Sequence, residues 1–241
     1  MLETDTVHVW RAHIGDINVS RWREFLSADE QARAARFHFQ KDRAQFIAAR
    51  GLLRTLLGCY LNTPPAALRF GYNEYGKPAL LEQCNPSDVR FNYAHSHGVV
   101  LCALARGREV GVDLERVQTQ PEHEHIAAQF FSAREIAALR ALPPAQRQRA
   151  FFTCWVRKEA YIKALGKGLS FPLHQFSVTL APGEAPRVIG AQDDPAEEQR
   201  WTLHDLPDLP GYAAALAVQG RARRVECRQW VHGYDAAQAG A

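Results

Sequence analysis

The sequence predicts an α+β fold of two similar halves, each a small, mainly antiparallel sheet packed with helices. Two observations carry this. Helical and strand periodicities alternate along both halves of the chain. In addition, Phe130-Phe131-Ser132-Ala133-Arg134-Glu135 echoes Phe25-Leu26-Ser27-Ala28-Asp29-Glu30. A constant offset that lays Ser27 on Ser132 also lays Phe46 on Phe151 and Arg54 on Glu159. The 241 residues are enough for one large domain or two modest ones, and the expected division is 1–115 and 116–241, joined near Glu115 to Pro121.

Taken in order, Thr6 to Ala12 predicts a strand with Val7 and Val9 on one side. Ser27 and Glu30 have capping-box spacing and start a helix. A longer helix is expected from about Lys41 to Tyr60, burying Phe46, Leu53, Leu56 and Leu57 and stopped by Pro64 and Pro65. Leu68 to Tyr72 reads as a strand and Glu74 to Pro78 as a turn. Strands are expected at 99–106, 110–115, 176–180, 212–218 and 224–231, with a second capped helix at Ser132 and Glu135. Pro182-Gly183 marks a turn, 193–199 is polar and reads as a loop, and the tail from about 235 has little to pack against.

Composition excludes several classes. An apolar content of 46% with 23% charged residues is that of a globular domain. The opening MLETDT has neither a basic nor an apolar leader region and no run of eighteen apolar residues occurs, so the cytoplasm is expected and a membrane is not. Five scattered cysteines without Cys-x-x-Cys argue against a disulfide framework and for small core residues, and His97, His123 and His125 lack zinc-ligand spacing. The net charge of +3 is too slight for a nucleic-acid binder. Arg33, Arg36, Lys41, Arg43, Arg50 and Arg54 nonetheless crowd one segment, which suits a compact polyphosphate or a solvated helix face.

Two stretches carry chemistry. WVRKEAYIKALGKGL, Trp155 to Leu169, is the end of a helix followed by a glycine stop. Wound at about 100° per residue, Phe151, Phe152, Trp155, Ile162 and Leu165 share an apolar arc that also contains Lys158 and Glu159. A carboxylate there needs a cationic partner, although Glu159 and Lys163 as an exposed i, i+4 pair account for the helix equally well. In EVGVDLE, Val110, Val112 and Leu114 alternate with Gly111, Asp113 and Glu115, so two carboxylates project side by side. They are either solvated or, with Glu159, an all-oxygen set suited to Mg²⁺.

These stretches resemble the signature of the 4′-phosphopantetheinyl transferases of the surfactin-synthetase-activating (Sfp) type: a Gly-hydrophobic-Asp-hydrophobic-Glu strand, Trp-x-x-Lys-Glu-x-x-x-Lys and a Gly-x-Gly-Leu turn. The likeness extends to EYGKP at Glu74 to Pro78 and FNYAHS at Phe91 to Ser96, spanning about Arg33 to Val178. It implies two halves related by a pseudo-twofold axis with the active site in the cleft between them. The implied reaction is Mg²⁺-dependent transfer of the 4′-phosphopantetheine arm of coenzyme A to a serine of an apo acyl or peptidyl carrier protein, releasing 3′,5′-bisphosphoadenosine.

The resemblance further implies that Asp113, Glu115 and Glu159 hold Mg²⁺ against the diphosphate, in one site bridging the halves. Glu159 would take the serine proton, directly or through water, and Lys163 would stabilise phosphate charge. Tyr75 and Gly76 would lie near the adenine and Lys77 would supply a point charge. His95 and Ser96 would bind a nucleotide phosphate, and Arg33 the 3′-phosphate. Ala94 stands where the family has the first serine of a Ser-His-Ser segment. Lys158 instead suits a structural role, reaching past the core to a surface or a carboxylate. A monomer is expected, since two fused halves suffice. Two other readings stay open: a Mg²⁺-dependent hydrolase of nucleotide diphosphates, and a noncatalytic module binding coenzyme A or a carrier protein.

Overall fold

The computed structural model describes residues 2–16, 19–118, 123–190 and 196–231. In chain order the elements are β1 (Thr6–His13), α1 (Val19–Arg23), α2 (Ala28–Ala35), α3 (Gln40–Leu61), β2 (Phe70–Tyr72), β3 (Pro78–Leu80), β4 (Val89–Ser96), β5 (Val99–Arg106) and β6 (Val110–Arg116). There follow α4 (His123–Phe130), α5 (Ala133–Ala141), α6 (Pro144–Leu165), β7 (Ser177–Val178), β8 (Val188–Ile189), α7 (Glu197–Arg200), β9 (Trp201–Asp205), β10 (Tyr212–Gln219) and β11 (Arg224–Gln229). The chain forms two compact units: Met1–Tyr72 with Pro78–Gly107 and Arg224–Ala241, and Asn73–Lys77 with Arg108–Arg223.

The first unit holds a sheet in the order β11-β1-β5-β4, antiparallel except that β11 runs parallel to β1, with Val9 opposite Cys227 and Ala103. Leu52, Leu53, Leu56 and Leu57 form the buried stripe of α3, in one core with Trp10, Phe91 and Leu104. Asn62 ends this helix in the left-handed conformation, its N–H bonded to the Gly58 carbonyl. The capping-box residue Glu30 is buried and accepts from Ser27 N, from Arg54 Nε at 2.6 Å and from Arg50 Nε. Two members of the basic segment are therefore internal ion-pair partners rather than polyphosphate ligands, whereas Arg33, Arg36, Lys41 and Arg43 remain exposed.

In the second unit α6 lies on a sheet ordered β6-β10-β9. Here the capping-box residue is Glu135, which accepts from Ser132 N at 2.8 Å, Val178 N at 2.7 Å and Lys158 Nζ at 2.7 and 2.8 Å. Lys158 is fully buried and also donates to the Phe176 carbonyl, so its structural role is that of an anchor for the preceding helix. The internal echo holds, with a correction. Both α3 and α6 have 22 residues, but their starts are offset by one residue less than Ser27 and Ser132. Arg54 therefore corresponds to Lys158, each binding the glutamate of the preceding capping box, and not to Glu159.

The units also divide differently from the expectation of 1–115 and 116–241. Strand β6 pairs with β10, with Val112 opposite Leu216, and so belongs to the second unit; β11 returns to β1 and belongs to the first. Four strands, β3, β4, β8 and β9, lie in stretches not read as strands. Within the expected loop at 193–199, Glu197 begins a helical turn because its carboxylate accepts from Tyr161 Oη at 2.5 Å and Trp201 Nε1 at 2.8 Å. The tail from about 235 lies outside the described residues. None of the five cysteines forms a disulfide, and Cys102 and Cys154 are the buried ones. Among the described residues no helix is long and apolar enough to cross a membrane.

Candidate active site

Strand β6 turns Gly111, Asp113 and Glu115 to one face, and β10 sets Ala217, Ala215 and Ala213 opposite them. A sheet surface paved with glycine and alanine lets a helix backbone approach closely. The approach is closest at Gly111, where a Cβ would stand 2.1 Å from the Ala160 carbonyl oxygen and 2.4 Å from Ala164 N. Only glycine fits there without moving α6. That contact brings the carboxylate strand against the turns of α6 that carry Glu159 and Lys163.

Asp113 is 5% exposed and its Oδ1 accepts from Lys163 Nζ at 2.6 Å. Lys163 thus meets the carboxylate of the strand. Asp113 Oδ2 and Glu159 Oε1 are both buried without a hydrogen-bond partner. Unpaired buried acceptors cost free energy, so these two mark a place built for a further positive group. Burial pushes the Asp113 carboxyl up, opposed by the Lys163 ammonium. Burial, then the nearby Asp113 charge, raise Glu159 to about 7, with Lys163 pulling the other way and Glu115 adding to the rise. Burial works against the Lys163 charge, yet Asp113, Glu159 and Glu115 hold it above the ordinary lysine value.

The three carboxylates belong to one unit and do not bridge two. Among the described residues no group of three or more His, Cys, Asp or Glu is arranged as a metal-ligand cluster, and a lysine occupies one oxygen of the set. The donor chemistry still fits Mg²⁺, since the groups are carboxylates with hard oxygens, Asp113 Oδ2 and Glu159 Oε1 lack partners, and the charges repel one another.

The turn residues Tyr75, Gly76 and Lys77 sit against the end of α6. Asn73 Oδ1 accepts from Tyr75 N at 3.1 Å and Lys77 N at 2.8 Å, while its Nδ2 donates to the Gly166 carbonyl at 2.7 Å. Gly166 stops the helix at φ 71°, a conformation that favours glycine. Lys77, expected as a point charge for a ligand, donates to Glu109 Oε2 at 2.6 Å and to the Ala164 carbonyl at 2.8 Å. The exposed carbonyls of a helix C-terminus attract such a cation, and it fastens the turn to α6. Tyr75 remains 48% exposed beside Gly168. Sequence reasoning missed Asn73; its signal was an Asn placed to close a turn over Gly76.

The remaining candidates lie in the first unit. Arg33 is exposed on α2, its guanidinium 5.5 Å from the Phe46 ring centroid. His95 and Ser96 end β4; His95 is exposed, and Ser96 is buried with Oγ 3.0 Å from His97 Nδ1. Ala94 is buried.

Comparison with known proteins decides the family. Residues 109–217 match the model of the 4′-phosphopantetheinyl transferase superfamily, and residues 10–108 that of the 4′-phosphopantetheinyl transferase N-terminal region. The 4′-phosphopantetheinyl transferase HetI of Nostoc sp. strain PCC 7120 is 39% identical over 91% of this chain and 90% of its own length. The chain belongs to the 4′-phosphopantetheinyl transferase family. The transferase is also similar to Sfp of Bacillus subtilis strain 168, at 34% identity over 66% of this chain and 69% of that protein. The putative transferase slr0495 of Synechocystis sp. strain PCC 6803 is 34% identical over 78% of this chain and 74% of its own. The superfamily match covers β6 and α6 together, and so contains the whole Asp113–Glu159–Lys163 group of the transferase.

Proposed function

We propose that this transferase moves the 4′-phosphopantetheine arm of coenzyme A to a serine hydroxyl of an apo acyl or peptidyl carrier protein, with Mg²⁺, releasing 3′,5′-bisphosphoadenosine. The observation that supports this most is the pair of unpartnered buried oxygens, Asp113 Oδ2 and Glu159 Oε1, beside the Lys163 ammonium. The serine oxygen attacks the phosphorus that bears pantetheine, the bond from that phosphorus to the bridging oxygen breaks, and the electron pair leaves with the adenosine bisphosphate. Lys163 faces the negative charge that develops on those oxygens. Glu159 accepts the serine proton, directly or through water. Asp113, Glu115 and Glu159 would hold Mg²⁺, which when bound supplies Lewis-acid neutralisation of the diphosphate.

Incubation with coenzyme A, Mg²⁺ and an apo carrier protein, followed by mass spectrometry of the carrier, separates the readings. A carrier heavier by one phosphopantetheine group supports transfer; free phosphopantetheine with an unmodified carrier means a hydrolase. Asp113→Ala and Glu159→Ala should abolish transfer with the fold intact, and Glu115→Ala should be milder because a water can replace it. Wild-type rates and an unchanged Mg²⁺ requirement in the first two variants would refute the assignment. For the nucleotide end, we assign the 3′-phosphate to Arg33 and His95. Wild type should bind coenzyme A more tightly than dephospho-coenzyme A, and Arg33→Ala or His95→Ala should narrow that gap. Equal wild-type affinity for the two ligands would remove this assignment.

A further inference from the structure

We infer that Lys163 is a resident counter-ion of Asp113 that competes with a divalent cation for the same carboxylates, so that cation and diphosphate ligand bind cooperatively. The inference rests on the carboxylate site proposed above and concerns the order in which its charges exchange partners. Asp113 is fixed: it projects from the middle of β6, is 5% exposed, and has Oδ1 held by Lys163 Nζ at 2.6 Å. Lys163 is the adaptable partner, with a side chain 30% exposed on a flexible four-carbon stem. Its single ammonium satisfies one Asp113 oxygen and leaves Asp113 Oδ2 and Glu159 Oε1 without partners.

The site is thus under-neutralised yet guarded. A divalent cation taking the free Asp113 Oδ2 and Glu159 Oε1 must face the Lys163 ammonium, held on Asp113 Oδ1, at close range. A ligand carrying a diphosphate removes this obstacle, because its oxygens give the ammonium a new acceptor. By linkage, the cation must tighten the diphosphate ligand by the same factor that the ligand tightens the cation. Lys163 is in this sense both the guard of the empty site and the first group to contact the arriving phosphate.

Binding of Mn²⁺ to the full chain, followed by electron paramagnetic resonance of the free ion with and without saturating coenzyme A, tests this without turnover. Wild type should bind Mn²⁺ about tenfold more tightly with coenzyme A than without. Lys163→Met should bind Mn²⁺ alone about tenfold more tightly than wild type and lose most of the gain from coenzyme A. Lys163→Arg, which keeps the charge and the donors, should behave as wild type. Lys163→Gln serves if the methionine variant does not fold, each variant being checked by its melting curve. Should Lys163→Met and Lys163→Gln bind Mn²⁺ no more tightly than wild type while Asp113→Asn abolishes binding, the counter-ion role is refuted and the site stands. Should Asp113→Asn and Glu159→Gln leave Mn²⁺ binding unchanged, the carboxylate site itself is wrong, and the inference with it.

Discussion

Gly111→Ala is the sharpest perturbation of the candidate active site that touches none of its charges. The added Cβ would lie 2.1 Å from the Ala160 carbonyl oxygen and 2.4 Å from Ala164 N, and both are backbone atoms that no rotamer change can move. Restoring contact distance requires β6 and α6 to part by at least about 1 Å. Overpacking of this kind costs about 1–3 kcal/mol, and backbone obstacles place this case near 3. The same retreat would carry the strand carboxylates about 1 Å from the α6 turns that hold Glu159 and Lys163. A misplacement of about 1 Å lowers turnover about 100-fold. Urea unfolding and carrier modification should therefore both report the change. Gly15→Ala, with no atom within 4 Å of its Cβ, is the control and should stay within about 0.5 kcal/mol. A Gly111→Ala protein as stable and as active as wild type would refute the close-approach reasoning.

Two further outcomes are expected. Glu135→Ala strands the fully buried Lys158 ammonium and the Ser132 and Val178 amides, so it should destabilise by about 3–5 kcal/mol in denaturant unfolding; a loss below about 1 kcal/mol would contradict the anchor role. In metal-free protein, Glu159 has a folded pKa of about 7 against an ordinary 4.5, so the folded state binds the proton more tightly. Stability should then fall as pH rises from about 4.5 to about 7, by an amount on the order of 2–3 kcal/mol. Glu159→Gln should remove that slope, and melting curves in chelator across this pH range would expose its persistence.

The sequence by itself determined faces and boundaries. Alternation placed Gly111, Asp113 and Glu115 on one side of a strand; helical periodicity placed Lys158 and Glu159 inside an apolar arc; Ser-x-x-Glu spacing marked the starts of α2 and α5. These signals are legible because pleat, helical pitch and capping are set by residues within a few positions of one another. Tertiary structure alone decided which cation meets which anion. Lys163 goes to Asp113, Lys158 to Glu135, Lys77 to Glu109, and Arg50 and Arg54 to Glu30, choices that no spacing rule ranks among so many like charges. It also decided that β6 joins the second unit and that β11 returns beside β1, since strand partnership is a long-range register. The close packing in the candidate active site, at Gly111, follows from both: the sequence supplies a glycine, and only the placement of α6 leaves no room for anything larger.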